Sequence, residues 1–387
     1  MKVVTLGEIC QIESGGTPSR KSPENFGGNI AWVKIGDMLQ GTITTTEEAI
    51  TELGVSSSSA KVWPIGTLLV SIFATIGRTA VLGIPAASNQ AIAGLQVDSN
   101  RMFTNYLRHY LDSSVGALVA SGRGIAQNNI NLSMLKGWPV PVPSLDEQRR
   151  IAAILDRADE LRTKRRQALA HLEILTQSIF RSMFGTPGEG WRKARLDDIC
   201  DVSSGITKGR KTAAEGLTDY PYLAVSNVQD RSLNMSVVKE IAVSAHEAER
   251  YRLRRGDLLL TEGGDPDKLG RGTIWNDDLP WCLHQNHVFR VRPRSVEAVP
   301  VYLSWHLASP AAKSYFLRMA KQTTGIASIN KTQLSATPVI LPPRELQQTF
   351  AARVAAVERL KENHRKHLTE LDALFASLQH RAFKGEL

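Results

Sequence analysis

Three cysteines in 387 residues are too few and too scattered for a disulfide framework. Cys10, Cys200 and Cys282 form no C-x-x-C pair, which also removes the usual zinc spacing. Glu8 interrupts the only apolar stretch near the N-terminus, so no secretory leader is read there. No uninterrupted apolar run approaches the ~18 residues of a membrane span. Signatures of chemistry are missing too. There is no Asp/Asn-Pro-Pro-aromatic tetrapeptide of amino-group methylation, no G-x-x-x-x-G-K-[ST] phosphate loop and no H-E-x-x-H pair. The expectation is a soluble, cytoplasmic, non-catalytic chain that binds no metal and no cofactor of its own.

What is present is ordinary globular composition, 42% hydrophobic and 22% charged, in a chain long enough for two domains plus extra helix. The net charge of +9 favours a polyanionic partner, though basicity alone is weak evidence. The excess is uneven. Residues 1–190 carry 18 basic and 16 acidic side chains, the remainder 29 and 22.

The chain repeats itself once. Leu6-Gly-Glu-Ile-Cys10-Gln-Ile-Glu-Ser14-Gly15 returns as Leu196-Asp-Asp-Ile-Cys200-Asp-Val-Ser-Ser204-Gly205, with Thr17 and Thr207 following, and Gly66-Thr-Leu-Leu-Val70 returns as Gly256-Asp-Leu-Leu-Leu260. Gly77-Arg78 matches Gly270-Arg271, Gly124-Ile-Ala126 matches Gly325-Ile-Ala327, and Pro143 matches Pro342. Beyond those prolines the register holds at an offset of 199, with Ile151, Ala152, Leu161, Leu172, Leu175 and Ser178 opposite Phe350, Ala351, Leu360, Leu371, Leu374 and Ser377. Ordered matches at near-constant spacing mark a duplication.

Each copy reads as a variable domain followed by a long helix. Short β-branched or apolar runs at 30–35, 67–73, 258–261 and 287–291 alternate with Gly, Ser and Asn clusters, which suits short strands and loops. Helices are expected late in each domain, over 106–119 and 301–319. The proline-rich runs at 138–143 and 338–343 cannot continue a helix and form extended exits. Neither 147–183 nor 345–383 contains Gly or Pro. Apolar positions alternately three and four apart give a seam at Ile151, Ile154, Ala158, Leu161, Arg165, Ala168, Leu172, Leu175 and Ile179. The second helix gives Phe350, Arg353, Val357, Leu360, His364, His367, Leu371, Leu374 and Leu378. The expected fold is α+β: two similar mixed domains (1–143 and 186–342) separated by helical spacers (144–185 and 343–387) packed as an antiparallel coiled coil, with pseudo-twofold internal symmetry. Arg165 and His364 share a seam position near mid-helix. In that arrangement the two basic groups repel, or mark where the stripe turns towards solvent or DNA; two snorkelling surface side chains are the plainer alternative.

This organisation resembles the specificity subunits of type I restriction-modification systems. The residues that carry the resemblance are Ser14-Gly-Gly-Thr-Pro18, Gly66-Thr-Leu-Leu-Val70, Gly124-Ile-Ala-Gln-Asn-Asn-Ile-Asn131 and Val142-Pro-Ser-Leu-Asp-Glu-Gln-Arg-Arg-Ile151. The second copy departs from it, since Ser204-Gly-Ile-Thr207 lacks the proline and Arg344-Glu-Leu-Gln-Gln348 stands for Leu145-Asp-Glu-Gln148. The resemblance implies that each domain reads one half of a split double-stranded DNA target. It implies that the helices set the gap and dock two methyltransferase subunits, which would hold S-adenosylmethionine. It leaves open whether restriction or translocase subunits join. An adapter of another multi-subunit DNA methylation system and an interaction scaffold that binds no DNA remain alternatives.

Phosphate contacts call for Lys and Arg, and base edges for Arg, Asn, Gln, Ser or Thr. Candidates in the first domain are Ser14, Thr17, Ser19, Arg20, Lys21, Arg78, Asn89, Gln90, Arg123, Gln127 and Asn128. In the second they are Thr207, Lys208, Arg210, Lys211, Asn227, Arg231, Lys268, Arg271, Gln285, Asn286, Gln322 and Lys331. Gly/Ser/Asn/Lys stretches are also generic surface turns. Cys10 and Cys200 read as core residues, and His284 and His287 beside Cys282 as a strand edge rather than a metal site. If the helices act as a ruler, removing one helical turn from each changes the spacer length of selected targets and leaves both half-site sequences as they were; changed base preference at constant spacing would contradict it.

Overall fold

The computed structural model describes residues 2–121, 130–209, 216–294, 296–323 and 325–387. It divides into two compact units, Met1–Ala168 with His364–Leu387, and Leu169–Asn363. Each unit is a domain of short strands and helices together with portions of both long helices.

In the first unit the central sheet runs, in spatial order, Cys10–Ser14, Ile92–Val97, Leu68–Ser71, Thr79–Leu82 and Thr42–Ile43. Its middle strand is buried on both faces, which is why Leu68, Leu69 and Val70 read as a continuous apolar run rather than an alternation. Leu68 and Val70 join a core with Ile12, Leu95, Tyr106, Leu107 and Leu111, the last three from the helix Thr104–Ser121. Leu69 faces the other way, onto Val33, Trp63, Leu82 and Ile92. A second sheet, Glu48–Ile50, Phe26–Val33 and Ala86–Ser88, completes the domain.

The second unit repeats the plan. Its central sheet runs Cys200–Ser204, Val288–Pro293, Leu258–Thr261 and Gly272–Ile274, and its smaller sheet Lys239–Val243, Thr218–Leu223 and Leu283–His284. The helix expected over 301–319 is two helices, Pro300–Leu307 and Pro310–Met319. Ser309 adopts extended backbone, its hydroxyl accepts the Ala312 N–H (3.3 Å), and Pro310 starts the new helix, so the chain restarts there. All three cysteines are buried and free, and burial pushes each thiol up to about 12.

The proline-rich exits are strands after all, but only in two-stranded ribbons. Pro139–Val142 pairs with Lys2–Thr5, and Pro338–Leu341 with Arg192–Arg195. A residue without an N–H is tolerated where one strand edge stays unpaired.

Each exit leads into a long helix, Leu145–Phe184 or Arg344–Lys384, each about 60 Å long. A fully buried glutamine fastens the start of each helix to its domain. Gln148 accepts the Phe103 N–H (2.7 Å) and donates to the carbonyls of Arg101 (3.1 Å) and Pro143 (3.0 Å). Gln347 accepts the Val299 N–H (2.9 Å) and donates to Glu297 and Pro342 (2.8 Å each). The second copy, which looked the more divergent here, keeps the contact intact.

Within each unit the helices run antiparallel. In the first, Arg150 meets the Leu387 carbonyl, Arg162 meets Asp372 (2.6 Å) and Arg165 meets His364 (3.1 Å). In the second, Glu173 meets Lys361 (2.6 Å), and Phe180 and Phe184 both pack on Phe350. The contact face is not the expected leucine seam. Ile151, Phe350 and Val357 are buried, Ile154, Leu172 and Leu371 half-buried, and Leu378 packs on the first core. Leu161, Leu175, Leu360 and Leu374 are instead 38, 45, 50 and 50% exposed. One residue on, Arg162, Thr176, Lys361 and Phe375 turn inward. The face rotates because each helix must also meet its domain: Phe383 packs edge-on against Tyr106, and its counterpart Phe184 against Tyr302. Nor do Arg165 and His364 repel. A guanidinium can only donate, so the His364 Nδ1 accepts its hydrogen bond.

His284 gives the second unit a pH dependence. Its ring is fully buried, with Nδ1 bonded to the Val288 carbonyl (2.7 Å), and burial lowers its pKa to about 4. Because the unfolded chain titrates near ~6.5, it takes up the proton first; stability present above that pH is lost as pH falls towards the folded value. Urea midpoints should fall across this window by the equivalent of about 3 kcal/mol. The His284→Gln variant should start lower at pH 7 and show a shallower slope, the remainder coming from groups such as His306, which burial also lowers; the same slope in wild type and variant would remove His284 as a source.

Candidate nucleic-acid interface

The strand register places the candidate loops. In the first unit Ser14 pairs with Ala93, Ser71 with Ile92 and Val70 with Thr79, so 15–21, 72–78 and 89–91 all leave from one end of the central sheet. Ile130 joins them through its N–H on the Ile72 carbonyl (3.1 Å). In the second unit Ser204 pairs with Phe289, Thr261 with Val288 and Leu260 with Gly272. The loops 205–209, 262–271 and 285–287 therefore share the corresponding end, together with Ile329, whose N–H donates to the Glu262 carbonyl (2.9 Å). Residues distant in sequence become neighbours because antiparallel strands return to the same edge.

Small residues make the close approach possible. Gly15 and Gly16 donate their N–H groups to the carbonyls of Ile92 and Ser88 (2.9 Å each). A Cβ on Gly15 would stand 2.3 Å from Ser88 Oγ and 2.4 Å from the Asn89 carbonyl oxygen; one on Gly205 would stand 1.9 Å from the His284 carbonyl oxygen. Above this floor the exposed Thr17 hydroxyl bonds the exposed Gln90 amide. In the second unit the Ile206 N–H donates to the His284 carbonyl (2.8 Å) and its carbonyl accepts the Asn286 N–H (2.9 Å), and the exposed Lys208 ammonium lies 5.1 Å from the Tyr222 ring centroid.

The first-domain candidates differ in how free they are. Ser14 ends its strand half-buried, while Ser19 and Lys21 are exposed on the adjoining loop. Arg20 is ion-paired to Glu48 (2.7 Å) and lies over Phe26 (4.4 Å), so its guanidinium is partly committed. Arg78 donates to the Ile35 carbonyl (3.3 Å) and Asn89 accepts the Ala91 N–H (3.1 Å). Arg123, Gln127, Asn128, Arg210 and Lys211 lie outside the described residues. Asn131, which closes the family-like run, caps the helix Leu132–Lys136, and Asn330 caps Lys331–Ser335 in the same way.

In the second domain Lys268 pairs with Asp265. Arg271 and Gln285 are half-buried at the sheet end, Gln322 donates to the Leu317 carbonyl (3.2 Å), and Lys331 is exposed in the first turn of its helix. Two candidates do something else. Asn227 is 3% exposed, and its amide bonds Ala224, Asn234 and Val237, holding a loop together with nothing left for a base. The Arg231 guanidinium lies over Trp305 and beside Glu173 on the long helix. Among the described residues no helix is long and apolar enough to cross a membrane, and no three His, Cys, Asp or Glu side chains gather as a metal site.

Comparison with known proteins decides the family. The profile of the "Type I restriction modification DNA specificity domain" matches residues 1–172 and again 188–373. The chain belongs to this family of type I specificity proteins. It is 23% identical over 410 residues to the type I restriction enzyme MjaIX specificity subunit of Methanocaldococcus jannaschii, covering all of this chain and 93% of that one. It is also 23% identical to the EcoKI specificity subunit of Escherichia coli, over 92% of this chain and 82% of that one. In fold it is similar to the type I S subunit from M. genitalium (TM-score 0.60, 15% identity, 99% and 96% covered). A chain of a type I restriction-modification system solved for its assembly and conformational transition gives TM-score 0.60 at 20% identity, covering 100% and 98%.

Two copies of the specificity domain thus follow one another in the chain, with different side chains at each loop end. Composition alone did not single out the Glu262 carboxylate, which holds the exposed His287 ring (2.6 Å) beside Asn286 at the second loop end. Only the pairing of Thr261 with Val288 brings it there. The glycine floors are testable. Gly15→Ala and Gly205→Ala should each destabilise the chain by roughly 1–3 kcal/mol in thermal melts, because backbone rather than a flexible side chain blocks the methyl group. Unchanged melting would mean the loops can move aside.

Proposed function

We propose that the chain reads one bipartite double-stranded DNA target for a type I restriction-modification complex, each sheet-end loop cluster contacting one half-site. The observation that carries this is the repetition of one loop end in two units with different chemistry: Thr17, Lys21 and Gln90 in the first, Thr207, Lys208, Arg271, Gln285 and Asn286 in the second. Equal frames with unequal side chains suit two unlike half-sites. The relatives' names as specificity subunits support the reading.

The long helices set the spacing of the half-sites and dock the partners. Leu161 and Leu360 occupy equivalent places in the repeat, as do Leu175 and Leu374, and all four are exposed. Two copies of one apolar pattern fit two copies of one partner, the methyltransferase subunits, which bring S-adenosylmethionine and the chemistry. This chain supplies recognition and no catalysis.

The deciding experiment sequences what the chain, assembled with its methyltransferase subunits, retains from a randomised duplex library. A split motif of two short sequences around an unread gap is expected; no enriched motif would sink the proposal. Lys21→Ala and Lys208→Ala should weaken binding evenly across sequences and lower the salt slope by about 1 each.

A further inference from the structure

Among the described residues, the candidate Arg231 turns its guanidinium onto Trp305 and Glu173, and these surroundings give it another task. It sits at φ 55° in the turn between Val228–Gln229 and Ser232–Leu233, a left-handed backbone that a non-glycine residue adopts only under constraint. Its N–H donates to the Gly272 carbonyl (2.9 Å), tying the turn to the central sheet. Its guanidinium carbon stands 3.5 Å from the centroid of the Trp305 ring, in the helix Pro300–Leu307, and Nη1 is 3.9 Å from Glu173 on the first long helix. Glu173 in turn binds Lys361 (2.6 Å) on the second long helix, and Lys361, only 4% exposed, also binds Glu358 (2.8 Å). One side chain thus joins sheet, domain helix and, through Glu173, both spacer helices.

Two cations and two carboxylates balance in this cluster. Removing such groups from water offsets most of their attraction, so the cluster adds little net stability. It is directional instead: a guanidinium stacked on an indole and aimed at a carboxylate tolerates one orientation, where an apolar contact could slide. The first unit is fastened differently. Trp305's counterpart in the repeat is His109, which with Asn105 and Arg108 bonds Asp156 on the first long helix (2.8–3.0 Å).

We propose that Arg231 is a positioning residue that sets the angle of the second reading domain on its helices, and thereby the number of unread base pairs between the half-sites. The proposal rests on the DNA-reading function above.

The test uses the chain assembled with its methyltransferase subunits and a library in which both half-sites and the gap length vary. Arg231→Met keeps the apolar stem and loses the stacked charge. Both half-site sequences should persist, while targets one base pair longer or shorter rise to within about tenfold of the preferred length. Glu173→Gln leaves Arg231 on Trp305 and Lys361 on Glu358, and should broaden the gap preference in the same direction; it decides the matter if Arg231→Met fails to fold in a thermal melt. One unchanged gap length in the folded variants would overturn the proposal. Altered base preference in the second half-site would overturn it too, because Arg231 would then be touching DNA. A wild-type complex that selects no split motif removes the DNA reading itself, and this inference with it.

Discussion

Two buried glutamines carry the architecture. A side-chain amide has one acceptor and two donor hydrogens, and Gln148 and Gln347 each place the acceptor and donors on three backbone groups at the point where domain becomes helix. Losing either would strand several buried backbone groups, each worth about 1–3 kcal/mol when unsatisfied. With its start pinned, each long helix leaves its own domain in a fixed direction.

Those contacts repeat with polarity reversed. Arg162 on the first helix meets Asp372 on the second, while Lys361 on the second meets Glu173 on the first, and 162 and 361, like 173 and 372, are equivalent positions. An ancestral basic–acidic pattern on one helix suffices to produce both pairs when two copies run antiparallel. Arg165 and His364 are each other's equivalents, so here a residue meets its own counterpart. Two identical arginines there would face like charge; an imidazole that accepts the hydrogen bond removes the conflict. The duplicated halves have diverged where self-meeting would otherwise be costly.

At the reading ends the division of labour is between backbone and side chain. Glycines and strand pairing hold the loops at one place in both units, and asparagine caps such as Asn131 and Asn330 serve the same scaffold. The side chains projecting from that scaffold differ between units. Asn227 and Arg231 show the limit of residue type as a guide, for an amide or a guanidinium suits a loop's own carbonyls or an indole as well as it suits a base.

The sequence by itself determined the duplication, the existence and extent of both long helices, and the clustering of polar loops, since period, breakers and offsets are local properties of the chain. It also located the strands at 258–261 and 288–293 closely. Only the tertiary structure decided which helix face is buried, because the heptad count is blind to Tyr106, Tyr302 and Trp305, which dock on the helices and turn Leu161, Leu175, Leu360 and Leu374 outward. It likewise decided that Ser309 and Pro310 break a helix, that Glu262 stands beside His287, and that Asn227 is spent inside its loop. Each of those outcomes depends on partners far away in sequence, where no local pattern reaches.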